Sequence, residues 1–98
     1  MEDRTRFEPW EAEVVAGRLI AVRAALGMNK ADFADMIGID RSSYTKIEKG
    51  DKPLLPGYAF RIYQLYGVDL NFLYMGQVGG LPSRLSSAVM THLNGKNA

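Results

Sequence analysis

The apolar positions fall into six groups at helical spacing, separated by glycine, proline or capping residues. Val14, Val15, Leu19, Val22 and Leu26 predict a first helix, with Pro9 in its opening turn and Gly27 as its stop. Glu11 and Glu13 then lie near the positive end of its dipole. Phe33, Ala34, Met36 and Ile37 give the inner face of a second helix. Asn29 is its cap, and Asp32 three residues later makes a capping box with a short acid. Gly38-Ile39-Asp40 reads as a tight turn. Asp40 can cap a third helix, Arg41 to Lys49, by accepting from the backbone N–H of Ser42 or Ser43. Tyr44 and Ile47 point inward there, leaving Arg41, Ser42, Ser43, Thr45, Lys46 and Lys49 outside.

Gly50 ends the third helix, and Asp51 to Gly57, with Pro53 and Pro56, reads as a loop. Tyr58, Ile62, Leu65 and Tyr66 make the stripe of a fourth helix, widened by Phe60 and Tyr63. Asp69 can cap a short fifth helix through Leu70, Phe72, Leu73 and Tyr74, with Gly76 after it. Gln77 to Gly80 reads as a hinge or tight connection. Pro82 to Leu93 is a sixth helix with Leu85, Ala88, Val89, His92 and Leu93 on one face. No segment alternates as a strand does, so the expected fold is all-α. The chain divides into a loose segment over 1–8, a domain over 9–76 and a C-terminal extension over 77–98. Trp10 is expected to cover the far end of the core formed by the first helix, the alternative being a partner surface.

Composition narrows the function classes. The 98 residues amount to one domain, 47% apolar and 23% charged, ordinary for a globular chain. With no cysteine, disulfides, thiol nucleophiles and Cys-based zinc sites are excluded. His92 is the single histidine, and no metal cluster, phosphate loop or catalytic constellation accompanies it, so neither enzyme chemistry nor a cofactor is expected. The N-terminus is charged and no apolar run is long enough to span a bilayer, which points to a soluble, cytoplasmic protein without membrane contact. A net charge of +1 gives no overall pull toward nucleic acid, so any such footprint has to be local.

That local footprint is the stretch from Met28 to Gly50, where a helix with a polar outer face is held at a fixed angle by a partner helix, a shape that suits a DNA groove. From Gly17 to Gly76 the chain resembles the helix-turn-helix domain of the phage lambda repressor and Cro (XRE-like) family of regulators. Arg18-Leu19, Arg23, Leu26-Gly27, Phe33-Ala34, Gly38-Ile39, Tyr44, Ile47-Glu48-Lys49-Gly50, Pro53, Leu65-Tyr66-Gly67-Val68, Phe72-Leu73 and Gly76 carry the resemblance. It implies a five-helix lambda-repressor-like domain, to which the sixth helix is an addition.

The resemblance also implies roles. Arg41, Ser42, Thr45 and Lys46 match positions that read base edges in the major groove, and Lys46 could instead meet a phosphate. Arg41 can donate to guanine O6 and N7, while Ser42 and Thr45 can reach smaller groups or a thymine methyl. Asn29, Lys30, Ser43, Lys49 and Lys52 match or flank phosphate-contacting positions, with Lys30 where the family usually has glutamine. Arg23 and Glu48 match a structural ion pair that ties the recognition helix to the first helix. Tyr44 and Tyr63 replace smaller residues and are expected in a more voluminous core.

These readings converge on a sequence-specific regulator of double-stranded DNA, a repressor, working as a homodimer because one helix reads too few base pairs. Phe72, Tyr74, Leu85, Val89 and Leu93 are the candidates for the dimer interface, unless the tail packs back on its own domain. The alternative is a protein-interaction module or antitoxin-like partner protein on the same fold. Between residues 29 and 52 five basic residues meet five acidic ones, which weakens the phosphate grip unless the acids are turned away.

Overall fold

The structure, a computed structural model, describes residues 8–95. Among them are six helices and no strand: α1 Ala12–Ala25, α2 Lys30–Ile37, α3 Arg41–Glu48, α4 Pro56–Tyr66, α5 Leu70–Met75 and α6 Ser83–Asn94. The segment expected to be loose over 1–8 lies, apart from Glu8, outside the described residues.

Local chemistry sets most of the boundaries. Asn29, Asp40 and Asp69 each cap a helix by accepting from the backbone N–H three residues on, those of Asp32, Ser43 and Phe72. Gly38 closes α2 in the left-handed region at φ 79°, where a side chain would be strained, and the chain turns directly into α3. Two starts differ from expectation. Pro9 is in a turn closed by the Glu11 N–H donating to the Glu8 carbonyl, so α1 begins only at Ala12. Pro56 is not in a loop but opens α4, where its missing N–H costs no bond.

α1 is the central helix, packed by α3, α5 and, most extensively, α6. Val15, Ala16, Leu19, Ala21 and Val22 are all buried, so it is covered on more than one side. Phe33 anchors the opposite half of the core, with Tyr44 tilted against it at 5.6 Å and Tyr66 stacked at 5.7 Å between ring centroids.

α6 belongs to this same core. Leu85 and Val89 are buried in it, and Leu93 packs against its edge. Phe72 is fully buried, and Tyr74 turns its hydroxyl to the Leu54 carbonyl. The five side chains expected at a dimer interface are thus wholly or partly packed within the protomer, and the tail helix lies against α1. The connection into α6 is tight rather than hinge-like. Gly79 and Gly80 lie in a turn closed by Leu81 N–H to the Val78 carbonyl, and a Cβ on Gly80 would collide with the Asp69 carboxylate.

Four apolar residues assigned inward lie outside. Trp10 is 57% exposed, because the Pro9 turn carries it off the start of α1. Met36 is exposed while its neighbour Ile37 is buried. Phe60 and Tyr63 are 51% and 47% exposed. On α4 the buried line runs through Ala59 and Ile62, with Tyr58 and Leu65 on one flank and Phe60 and Tyr63 left on the other.

Candidate nucleic-acid interface

The outward surface of α3 is held in place by a buried polar cluster on its inner side. Arg23 of α1 donates from Nε to Glu48 Oε2 at 2.6 Å and from Nη2 to Oε1 at 3.0 Å. A third bond, Nη1 to the Met28 carbonyl at 3.0 Å, fastens the α1–α2 connection to the same guanidinium. The Tyr44 hydroxyl, one turn before Glu48, donates to Oε2 as well. The Glu48 hydrogen bond raises the Arg23 pKa, while burial, followed by the neighbouring carboxylate, pushes the Tyr44 phenol well above its usual range. Tyr44 thus replaces a smaller core residue without leaving a buried hydroxyl unpaired.

With its inner side fixed, α3 turns Arg41, Ser42 and Lys46 to solvent, and Ser43 and Thr45 are half-buried beside them. Three of these side chains already have partners within the protein. Ser42 donates its hydroxyl to Asp40 Oδ2 at 2.6 Å, and the same carboxylate accepts the Ser43 backbone N–H at 3.1 Å. The hydroxyl bond, then the backbone one, holds Asp40 below the usual carboxylate range. Arg41 donates from Nε to Asp35 Oδ1 at 3.1 Å and from Nη2 to Oδ2 at 2.6 Å, across the turn from α2. Thr45 donates to the Arg41 carbonyl at 3.1 Å, a bond along its own helix.

The basic residues surround this surface. Lys30 is at the start of α2, next to the Asn29 cap, and Lys49 and Lys52 follow α3, all exposed. Among the described residues none of these lysines, nor Lys46, makes an ion pair. Ser43 and Lys52 share the rim of a cleft of about 150 Å³ between α3 and the loop before α4. The acids that balance the local charge are largely turned to other work: Glu48 to Arg23, Asp40 to the cap and Asp35 to Arg41.

Three contacts have no counterpart in the sequence reading. Arg41 and Asp35 are six residues apart in the chain, and only the geometry of the turn brings them together. The Tyr44 hydroxyl was an open need without a named partner. Arg18 donates from Nη1 to the carbonyls of Pro9 and Leu73, at 2.7 and 3.0 Å, and burial lowers its pKa. This half-buried cation closes the N-terminal turn against the last turn of α5, an end that favours positive charge. No metal-binding cluster occurs among the described residues, and none of their helices is long and apolar enough to cross a membrane.

A short capped helix, a glycine turn and a second helix braced from behind define a helix-turn-helix module. The family model described as helix-turn-helix (HTH_3) matches residues 19–73, more than half of the chain. The chain belongs to this family, the lambda repressor-like class of DNA-binding regulatory domains, which are typically non-enzymatic. No curated protein and no solved structure gives a match.

Proposed function

We propose that this chain is a sequence-specific regulator of transcription, a cytoplasmic repressor that reads the major groove of double-stranded DNA with α3. One observation carries the reading: Ser42 and Lys46 are exposed on the face of α3 turned away from Glu48, whose side chain is 4% exposed and clamped to α1, and Arg41 is exposed in the first turn of the same helix. Rigid support on one side and solvent-exposed hydrogen-bonding groups on the other are what direct base reading needs. Arg41, Ser42, Thr45 and Lys46 address base edges, while Asn29, Lys30, Ser43, Lys49 and Lys52 hold the backbone.

The working form is a dimer, with two α3 helices presented to half-sites about 34–36 Å apart. Such a dimer represses by covering promoter DNA and needs no further surface to do so. Selection of bound sequences from a random duplex library tests binding, motif and half-site spacing together. A palindromic motif supports the reading, and a pool that is never shifted at low salt removes it. A protein-interaction role on the same fold has its own support in Phe60 and Tyr63, exposed together on α4 with rings 6.2 Å apart. It becomes the better reading if no DNA is bound.

A further inference from the structure

We propose that Asp35 is a specificity-determining residue that acts through Arg41, holding its guanidinium in the one orientation that selects guanine. The proposal rests on the DNA-reading assignment of α3 and goes beyond it, because Asp35 is on α2, outside the reading helix.

The geometry assigns each edge of the guanidinium. Asp35 takes the side-on edge, receiving Nε–H at 3.1 Å and one Nη2–H at 2.6 Å. A guanidinium carries five N–H donors, so the second Nη2–H and both hydrogens of Nη1 remain available. One hydrogen from each of these two nitrogens forms the end-on edge, two parallel donors directed away from Asp35. Guanine presents O6 and N7 as two adjacent acceptors in the major groove, whereas adenine puts a donor beside N7 and thymine offers a single oxygen. An end-on arginine held from behind therefore fits guanine and clashes in hydrogen bonding with adenine.

The pair has little other purpose. Arg41 and Asp35 are 64% and 52% exposed, and ion pairs this open to water contribute little to folding. What the carboxylate does is restrict a long side chain that would otherwise sample many rotamers before binding. It also gives up affinity for DNA in general. A carboxylate beside the reading arginine repels the phosphate backbone, so Arg41 is discouraged from swinging onto a phosphate, where it would carry no sequence information. Asp40 is ionised beside Arg41 as well, but its carboxylate is engaged by Ser42 and Ser43 at the cap and does not hold the guanidinium.

The test uses the full chain as wild type, Arg41→Ala and Asp35→Asn, each put through duplex-library selection. Affinity is then measured for the selected site, its single-base variants and a scrambled duplex. Wild type is expected to require guanine at one position of each half-site, and Arg41→Ala to lose that requirement. Asp35→Asn should reduce the preference for that guanine about tenfold, leave the other positions unchanged and bind the scrambled duplex more tightly. A shift of base preference confined to one position is not something a merely folding role for Asp35 would produce. If Asp35→Asn keeps the wild-type preference at the Arg41-dependent guanine, the proposal is overturned while the DNA reading stands. If wild type selects no motif, both fall together.

Discussion

The guanidinium of Arg23 grips both carboxylate oxygens of Glu48 and so ties the first and third helices into one unit. The pair is nearly dry on one side and less so on the other: the Glu48 side chain is 4% exposed and that of Arg23 17%. Removing the carboxylate would leave a largely buried cation and an unpaired Tyr44 hydroxyl. Glu48→Ala is expected to lower folding stability by about 3 kcal/mol, near the lower end for broken buried pairs because Arg23 keeps a route to water. Denaturant unfolding measures it, and a midpoint equal to wild type would show that the brace does not form.

Tyr44 is the third member of that cluster. Tyr44→Phe keeps the ring on Phe33 and removes only a hydrogen bond to a charged acceptor, so the expected loss is about 1–2 kcal/mol. Its pH signature is more distinctive. Burial raises the folded-state pKa of Tyr44, so the unfolded chain releases this proton first as pH climbs past about 10. The contribution is complete below that pH and declines above it. The half-buried Tyr66 and Tyr74 shift the same way, so Tyr44→Phe should make the alkaline fall in stability shallower without abolishing it. An alkaline limb identical to wild type would argue against a protonated, buried Tyr44.

The inward packing of α6 predicts where its side chains matter. Leu85→Ala should destabilise the fold by about 2–4 kcal/mol, as buried leucines do, and leave the oligomeric state of the folded protein unchanged. Sedimentation of folded wild type and variant makes the comparison. A dimer that dissociates on this substitution with the fold intact would return α6 to the interface.

The caps and stops were legible in the sequence because they are local: a short polar acceptor three residues before its N–H, or a glycine after the last apolar residue, needs no tertiary information. Tertiary relations were less so. Arg23 and Glu48 are 25 residues apart and were paired through the family resemblance alone. The docking of α6 could not be settled from its own stripe, since α1 also buries Ala16 and Ala21, small residues that a count of large apolar positions passes over. Phe60 and Tyr63 failed for a related reason: periodicity identifies an apolar flank but not whether a neighbour exists to cover it. Asp35 and Arg41 meet only once the turn at Gly38 has fixed the angle between their helices, and no spacing rule within one helix contains that distance.

Acid should weaken the helix-turn-helix unit in a defined direction. Asp35 is held below the usual carboxylate range by its hydrogen bonds from Arg41, and Asp40 by the Ser42 hydroxyl and the Ser43 N–H. Their unfolded pKa values are about 4, so both contributions are complete above that pH. As pH falls further the unfolded chain takes up these protons first, and the stabilisation is lost progressively until the folded-state values are passed. Urea midpoints measured from about pH 5 to pH 2 should fall only slightly less steeply in Asp35→Asn than in wild type, because a pair this open to water contributes little to folding. A steeper fall in Asp35→Asn would contradict the lowered Asp35 pKa.

Lys49 separates backbone grip from base reading. It follows α3 beside Gly50, exposed and without an ion pair among the described residues, while Arg41 sits at the opposite end of the same helix. If Lys49 meets a phosphate, Lys49→Ala should weaken binding to every duplex by a similar factor and leave the selected motif intact. It should also lower the slope of log affinity against log salt by about one unit, since one condensed counterion fewer is released. Arg41→Ala should do the reverse, relaxing preference at one position with a smaller change on scrambled DNA. Should Lys49→Ala alter the motif while the salt slope holds, Lys49 would be a base-reading residue and α3 would enter the groove along more of its length than its N-terminal turns.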